Sequence, residues 1–406
     1  MKYDRSIGKE MNSLNRKKIV MAILAMEFTT LSMSAVSPAL ANIGNAFPDI
    51  PHVFLSMLLT IPPLVSMPFT ILSNRLVRQS VPFRMAACIG FLFLLSGGIG
   101  PYFSNNFYVI LMCRILFGVG MGFILPMGTT IVYTYFNKEE AEIQCSNDII
   151  SNNLGAILFQ LLGGILCSSF GWHATFLVYI MLLPSFMIVL FLMPEPGKIF
   201  AREAEEKVSK TKAHYGWNLW KWCFLYFLFC VLFYPLITDS PEIIERNGYG
   251  TAAGTAVMLV LFTVGGMLGG FAFRLKPLQK MKQRIFSFIF VICALGFAII
   301  MLSDRLAMMI VGAGVFGIGY GIFMAAVIVF AGYSVPQDIR PGVTARMIVS
   351  AGAGEFSSAF IMLMAKNLFH SSYERFSFAL SIAVFLILSI VFFVKHEAKR
   401  KMESTE

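Results

Sequence analysis

Apolar runs of roughly 20 residues follow one another along the whole chain, separated by short polar or basic segments. A helix of this length crosses a hydrocarbon layer of about 30 Å. Because backbone polar groups inside a bilayer must be paired within the protein, these runs are predicted to be helices. The pattern predicts twelve membrane-spanning helices, over residues 19–43, 52–73, 82–103, 106–135, 145–168, 174–193, 218–240, 251–273, 285–302, 306–331, 343–366 and 376–394.

The second half of the sequence repeats the first at an offset of 199 residues. Matching positions are Phe117–Gly122 with Phe316–Gly321, Arg75 with Arg274, Ser151 with Ser350, and Gly155 with Gly354. Internal similarity of this kind indicates two copies of one structural unit. We therefore predict an all-α membrane protein of two pseudo-symmetric six-helix bundles, residues 1–193 and 217–406, joined by a cytoplasmic linker over residues 194–216.

Composition and charge agree with this picture. Hydrophobic residues make up 57% of the chain and charged residues 13%, whereas a soluble domain carries about 25% charged residues. Most of the 32 Lys and Arg residues fall in segments on one side of the predicted bilayer, which places both termini in the cytoplasm. The net charge of +10 is thus a topology signal, and we expect no nucleic-acid partner.

Catalytic and metal-binding patterns do not stand out in the sequence. The five histidines fall in predicted loops or at span boundaries, and the seven cysteines form no CxxC pair. No glycine-rich loop is followed by Lys-Ser or Lys-Thr, so ATP-driven transport has no support. We expect no metal and no cofactor. A membrane-embedded enzyme or receptor is the least supported alternative.

Glu27 and Arg114 are charged residues inside predicted spans, where such residues are rare and usually face the bundle interior or a wet cavity. Each lies about 12 Å from one end of its span, so we expect the two at a similar depth. Burial disfavours an ionised carboxylate and a nearby arginine favours it. Glu27, balanced between these effects, can load and release a proton. In the alternative it is a packing residue neutralised by Thr29 and Thr30.

Three further assignments concern the remaining charges. Arg114 stays charged, so it binds an anionic substrate group, tunes the Glu27 carboxylate or clamps backbone carbonyls. Glu355 is a second mid-membrane carboxylate with a possible substrate or coupling role. Asp148 and Asp239 lie near span ends and are expected to make interfacial or gate contacts.

The residues Leu111–Gly120 resemble the helix-4 motif of the major facilitator superfamily, with Arg114 and two glycines in register. The turn after the second span retains part of that family's motif and departs from it elsewhere. Leu72, Arg75 and Arg78 match, whereas Thr70, Asn74 and Val77 replace Gly, Asp and Gly.

Two other spans carry partial motifs. In the fifth span, Gly155, Gly163 and Gly164 fit the family's antiporter motif, but Phe159-Gln160 stands where Gly-Pro is usual. In the first span, Glu27–Thr30 and Pro38 resemble a subset of bacterial proton-coupled multidrug antiporters, although the second acid of that subset would fall at Ala35.

The resemblance implies rocking of the two halves about a central site lined by the first, fourth, seventh and tenth spans. It implies Glu27 as the proton-coupling residue. The implied substrate-binding residues are Arg114, Thr30, Ser34, Phe117, Met121, Tyr226, Tyr320 and Glu355. The implied gate or conformational residues are Asn74, Arg75, Arg78, Gly155, Gly163 and Gly164.

Two transport functions follow from these residues. In the first, the chain is a proton-coupled exporter of amphipathic or cationic compounds, and Glu27 exchanges a proton for substrate. In the second, it takes up or exchanges an organic anion or metabolite, with Arg114 as the binding charge; the missing Gly-Pro and the missing acid at Ala35 favour this reading. We expect a monomer in the cytoplasmic membrane of a bacterium, with a small-molecule substrate, protons and the lipid bilayer as partners.

Overall fold

The structure is a computed structural model, and it describes residues 13–78, 81–136, 138–193, 217–275, 277–278, 281–335, 341–371 and 373–403. The predicted linker, 194–216, lies outside the described residues. Over the described residues the fold is all helical, without β-strands. Clustering of contacts divides the chain into two compact units, Met1–Lys212 and Ala213–Glu406. The finer domain boundaries given above stay predictions.

The described residues of unit 1 form six main helices. They are α1 (Ser13–Thr30), α2 (His52–Arg78), α3 (Phe83–Ile99), α4 (Phe107–Tyr135), α5 (Lys138–Phe170) and α6 (Leu182–Leu192). The α-helix of α1 ends well before Pro38; a 3-10 stretch, Ser32–Ala39, and a short helix, Leu40–Ala46, continue it. A second 3-10 stretch, Trp172–Met181, leads into α6.

Unit 2 repeats this arrangement. Its main helices are α7 (Trp217–Phe233), α8 (Ala252–Ala272), α9 (Ile285–Met301), α10 (Leu306–Tyr333), α11 (Pro341–Leu368) and α12 (Phe376–Glu403). Short helices Pro235–Thr238 and Ser240–Arg246 continue α7. Proline at the start of each short segment removes a backbone donor and so favours a new helix start over an unbroken one.

Eleven segments of the described chain are long and apolar enough to cross a membrane. The remaining predicted span, 285–302, corresponds to α9, an apolar helix of 17 residues that is shorter than these eleven segments. The predicted count of twelve spans and the cytoplasmic position of both termini therefore stay predictions.

Helix packing within each unit follows the sequence repeat. In unit 1, α2 and α3 pack on α4, and α1 packs on α5; in unit 2, α8 and α9 pack on α10, and α7 packs on α11. Glycine permits the closest of these approaches. A Cβ at Gly155 would meet the carbonyl oxygen of Phe28, and one at the equivalent Gly354 would meet that of Phe227. The 199-residue offset thus relates equivalent helix contacts as well as similar residue types.

The core of unit 2 is aromatic. The rings of Phe229 and Phe323 stack with centroids 3.7 Å apart, and those of Phe297 and Phe316 with centroids 4.2 Å apart. All four side chains are fully buried. Stacked aromatic rings of this kind contribute packing energy beyond their burial, so α7, α9 and α10 share one apolar interior.

Candidate functional site

Glu27 lies in the last turn of α1, with its carboxylate against the backbone of α4. A Cβ on Gly128 would collide with Glu27 Oε1, so only glycine leaves room for this carboxylate. Thr30 Oγ1 lies 3.4 Å from Glu27 Oε2 and also donates to the carbonyl oxygen of Met26. The ion pairs found among the described residues do not include Glu27. Its negative charge therefore has no described basic partner.

Arg114 lies on α4 and is fully buried. Its Nε donates to the carbonyl oxygen of Leu58 (3.1 Å), and its Nη1 donates to the hydroxyl group of Tyr179 (3.1 Å). The guanidinium carbon lies 4.4 Å from the centre of the Phe117 ring. Nη2 is buried and has no hydrogen-bond partner among the described residues. The side chain is thus clamped on two sides and retains one unused donor nitrogen.

The expected common depth of Glu27 and Arg114 is wrong. Glu27 contacts α4 at Gly128, which follows Arg114 by 14 residues on the same helix. At 1.5 Å per residue this places the two charges about 21 Å apart along α4. Depth within each span does not give the distance between the two residues, because the sequence does not show the position of α1 along the axis of α4. Arg114 consequently cannot tune the Glu27 carboxylate by direct contact.

Among the described residues, Asp148 on α5 is the charged side chain within electrostatic range of Glu27. It is 7% exposed, and its Oδ1 accepts a hydrogen bond from Gln144 Nε2 at 2.8 Å. Its Oδ2 is buried without a described hydrogen-bond partner. Sequence reasoning placed Asp148 at an interface or gate because it lies near a span end, and that role stays a prediction; the structure adds that Asp148 lies within electrostatic range of Glu27.

The second cluster lies inside unit 2. Glu355 on α11 is in electrostatic range of Tyr226, Cys230 and Tyr320. The Tyr226 hydroxyl group donates to the sulfur of Met324 at 3.0 Å. Glu355 has no ion pair among the described residues. Three of the predicted substrate-binding residues are therefore neighbours within unit 2.

The ring of Tyr320 belongs to the same cluster. Its centroid lies 5.0 Å from that of Phe262 and 5.1 Å from that of Phe233. Both phenylalanines are buried. The phenol groups of this cluster thus sit at the edge of an apolar interior, which suits the binding of an amphipathic group.

The remaining predicted site residues are placed as follows. Phe117 is fully buried between Arg114 and Tyr179, and Met121 is also buried. Ser34 lies in the 3-10 stretch after α1 and donates to the carbonyl oxygen of Leu31 at 2.7 Å. Neither Phe117 nor Met121 presents an accessible surface.

The predicted gate residues divide into two groups. Asn74 and Arg75 lie near the end of α2, while the side chain of Arg78 lies outside the described part of the structure. Gly155 and Gly163 pack against the carbonyl oxygens of Phe28 and Ala35, and Gly164 is buried beside them. Gly155 and Gly163 therefore allow α5 to pack closely against the first span.

Sequence reasoning missed three residues of this site. Tyr179 reads as one aromatic in an apolar span, Gly128 as one glycine among many, and Gln144 lies just before the predicted start of the fifth span. A search for polar side chains inside or directly beside the apolar runs would have found Tyr179 and Gln144. Nothing in the sequence singles out Gly128.

The family model described as the Major Facilitator Superfamily matches residues 21–354. The chain belongs to the Major Facilitator Superfamily. It is a multi-pass membrane transporter of the major facilitator type, and its family consists of transporters of small molecules.

Curated relatives carry a narrower name. "Probable nitrate transporter NarT" of Staphylococcus aureus (strain JH9) is 25% identical over 361 residues, covering 84% of this chain and 86% of the relative. The protein of the same name from strain MRSA252 is 25% identical over 291 residues, covering 69% and 70%. The multidrug antiporters named from the helix-1 residues are not among these relatives.

Solved structures share the fold at low identity. A bacterial homolog of the human lysosomal transporter Spinster, inward-facing and unoccupied, has a TM-score of 0.69 at 15% identity and covers 94% of this chain and 97% of its own. The nucleoside transporter NupG has a TM-score of 0.71 at 12% identity, covering 93% of this chain and 98% of its own. These likenesses establish the major facilitator fold and nothing about substrate.

Proposed function

We propose that this chain carries a small inorganic or organic anion across the cell membrane together with a proton, by alternating access. Arg114 supplies the positive charge for the anion and Glu27 carries the proton. The observation that carries the proposal is the separation of two opposite charges within unit 1, neither of which has an ionic partner among the described residues.

The physical argument concerns the cost of charges in an apolar medium. An ion pair between Glu27 and Arg114 would neutralise both residues internally. Held about 21 Å apart along α4, each charge has to be neutralised from outside: the guanidinium by an anion and the carboxylate by a proton. The doubly loaded protein then carries no net charge at these two positions, which lowers the cost of moving them through an apolar environment.

The chemistry of the two groups fits those roles. A guanidinium donates hydrogen bonds in a planar fork that suits flat oxyanions, and Arg114 Nη2 is the donor still unused. Because Arg114 is fully buried, an anion reaches it only when the surrounding helices move. The relatives named as probable nitrate transporters support a small flat anion, and nitrate is therefore the first probe. We expect the protein to act as a monomer.

The second candidate is proton-driven efflux of amphipathic or cationic compounds. One observation favours it. Glu355 has no ion pair among the described residues, and it neighbours the phenol groups of Tyr226 and Tyr320 beside the aromatic core of unit 2. A carboxylate bordered by aromatic rings is a suitable environment for an organic cation.

Reconstituted vesicles with a pH-sensitive dye inside test both candidates. With anion–proton symport, external nitrate acidifies the lumen of wild-type vesicles. Glu27→Gln abolishes this acidification and retains nitrate exchange at equal pH, because exchange requires no net proton movement. Arg114→Gln loses both activities. The matched controls Asp304→Asn and Arg305→Gln, at exposed positions, behave as wild type.

Two vesicle results would contradict anion–proton symport or the role of Glu27 in it. Vesicles in which external nitrate moves no protons, and in which tetraphenylphosphonium leaving the lumen draws protons inward, refute symport and establish cation efflux. Acidification that persists unchanged in Glu27→Gln removes Glu27 from the coupling mechanism.

A further inference from the structure

Helix α5 carries a stripe of polar residues that the transport proposal has not used. Glu140, Gln144, Asp148 and Asn152 follow one another at intervals of four residues. Residues spaced by four lie on adjacent turns of one helix face. These four therefore form a continuous polar stripe along α5 from its first turn, called here the α5 stripe.

The α5 stripe lies beside α1, and two contacts set the register of the two helices. Arg16 Nη2 donates to Glu140 Oε2 at 2.8 Å. Farther along, Ser151 Oγ donates to the carbonyl oxygen of Leu24 at 2.8 Å. This register brings Asn152 to within one helical turn of the level of Glu27. The stripe thus begins at the end of unit 1 where α1 starts, and it ends near the level of Glu27.

Two acceptor atoms of the stripe are buried and unused. Asp148 Oδ2 and Asn152 Oδ1 have no hydrogen-bond partner among the described residues, and the Asp148 side chain is 7% exposed. A buried polar atom without a partner is costly, and internal water usually satisfies it. These two oxygen atoms would be destabilising on a helix face that contacted only apolar groups.

The start of the stripe is accessible. A cavity of about 510 Å³ lies there, and Arg16, Glu140 and Gln144 contribute to its lining. The distribution of basic residues predicts that this side of the protein faces the cytoplasm. Water in the cavity can therefore approach within one or two helical turns of Asp148.

We propose that the α5 stripe is the path by which protons pass between the cytoplasmic cavity and Glu27, with Asp148 as the intermediate carrier. This inference rests on the proposed role of Glu27. A proton from cavity water binds the ionised Asp148 carboxylate, which becomes neutral. It then passes by way of water at Asn152 Oδ1 to the ionised Glu27 carboxylate, which becomes neutral as Asp148 regains its charge. Gln144 and Asn152 orient the path and carry no proton.

Other charged or titratable groups near the path do not compete for this role. Arg16 is engaged with Glu140, and Arg114 lies about 21 Å farther along α4. Helix α6, which also packs on α1, contains no charged residue. Tyr135 ends α4 on the cavity side, and a phenol keeps its proton at neutral pH.

Time-resolved infrared spectroscopy of the full chain in lipid vesicles tests the path without a substrate. After a rapid pH drop from 8 to 5, the carbonyl band of protonated Glu27, identified by its absence in Glu27→Gln, grows with a measurable rate. We expect Asp148→Asn to slow this growth by about tenfold or more, because the carrier is lost. Asp148→Glu retains a carboxyl group and should remain within a few-fold of wild type.

A matched asparagine pair separates a path from a general charge effect. Asn152→Leu removes the water-binding oxygen without changing any charge and should slow the Glu27 band, whereas Asn147→Leu, at an exposed position of the same helix, should not. An unchanged rate in both Asp148→Asn and Asn152→Leu overturns the path and leaves Glu27 as carrier. Absence of any Glu27 band at low pH overturns the proposed role of Glu27 itself, and the path with it.

Discussion

The Glu27 carboxylate lies directly against Gly128, in a space that any side chain at that position would fill. Helix α4 therefore contributes to the two charges of unit 1 in different ways. Near one end, α4 supplies the Arg114 side chain. Near the other end, the absence of a side chain at Gly128 leaves room for the Glu27 carboxylate. Hydrogen bonds fix the position of the Arg114 guanidinium, whereas close packing against Gly128 fixes the position of the Glu27 carboxylate.

Gly128→Ala tests that relationship. The added methyl group must displace the Glu27 carboxylate, so we expect nitrate-dependent proton uptake to fall by about tenfold while the protein still folds. Gly270→Ala is the matched control, because no atom lies within 4 Å of a Cβ built there. Alanine is favoured over glycine in a helix by up to about 1 kcal/mol, so the control should be as stable as wild type or more so. Equal proton uptake in both variants would contradict the packing described for Glu27.

Tyr179→Phe removes the hydroxyl group that accepts a hydrogen bond from Arg114 Nη1 and keeps the ring. A second buried guanidinium nitrogen is then left unpaired. We expect the free energy of unfolding, measured by denaturant titration in detergent, to fall by about 1–3 kcal/mol. Tyr108→Phe, at a position 67% exposed, should leave stability unchanged. If the two variants are equally stable, the Tyr179 contact contributes nothing to holding Arg114.

Gly155→Val and Gly354→Val test the repeat as a structural fact. Each substitution places a branched side chain against a backbone carbonyl, of Phe28 in unit 1 and of Phe227 in unit 2. Overpacking of this kind costs about 1–3 kcal/mol, and we expect similar losses at the two positions in the same denaturant titration. A loss at one position only would mean that the equivalent contacts differ in energy despite their shared geometry.

Glu355→Gln distinguishes the two transport functions through unit 2. Removing a negative charge that neighbours Tyr226 and Tyr320 should leave nitrate-dependent proton uptake unchanged, because the proposed anion and proton sites both belong to unit 1. If the protein exports organic cations, the same variant should lose about tenfold or more of tetraphenylphosphonium transport. Proton flux with each compound in turn, in one vesicle preparation, gives the answer.

Helix positions were predictable because every helix that crosses a bilayer needs an apolar stretch of about 20 residues with its backbone hydrogen bonds made internally. The apolar runs at 251–273 and 306–331 correspond to Ala252–Ala272 and Leu306–Tyr333 to within two residues. The fifth span, predicted over 145–168, agrees to within two residues with the apolar segment Ile143–Phe170. The helix itself begins earlier, at Lys138, because a helix continues into polar sequence beyond the point where hydropathy falls. The missed turns carry Glu140 and Gln144, the first half of the α5 stripe.

The sequence by itself determined the repeat and the contacts that the repeat conserves. Gly97 packs against the backbone of Phe117 and Gly296 against that of Phe316, at the predicted offset, because glycine spacing encodes close helix approach. Only the tertiary structure decided where Glu27 lies relative to Arg114. The sliding of α1 along α4 is set by packing between segments distant in sequence, and no periodicity within either helix records it.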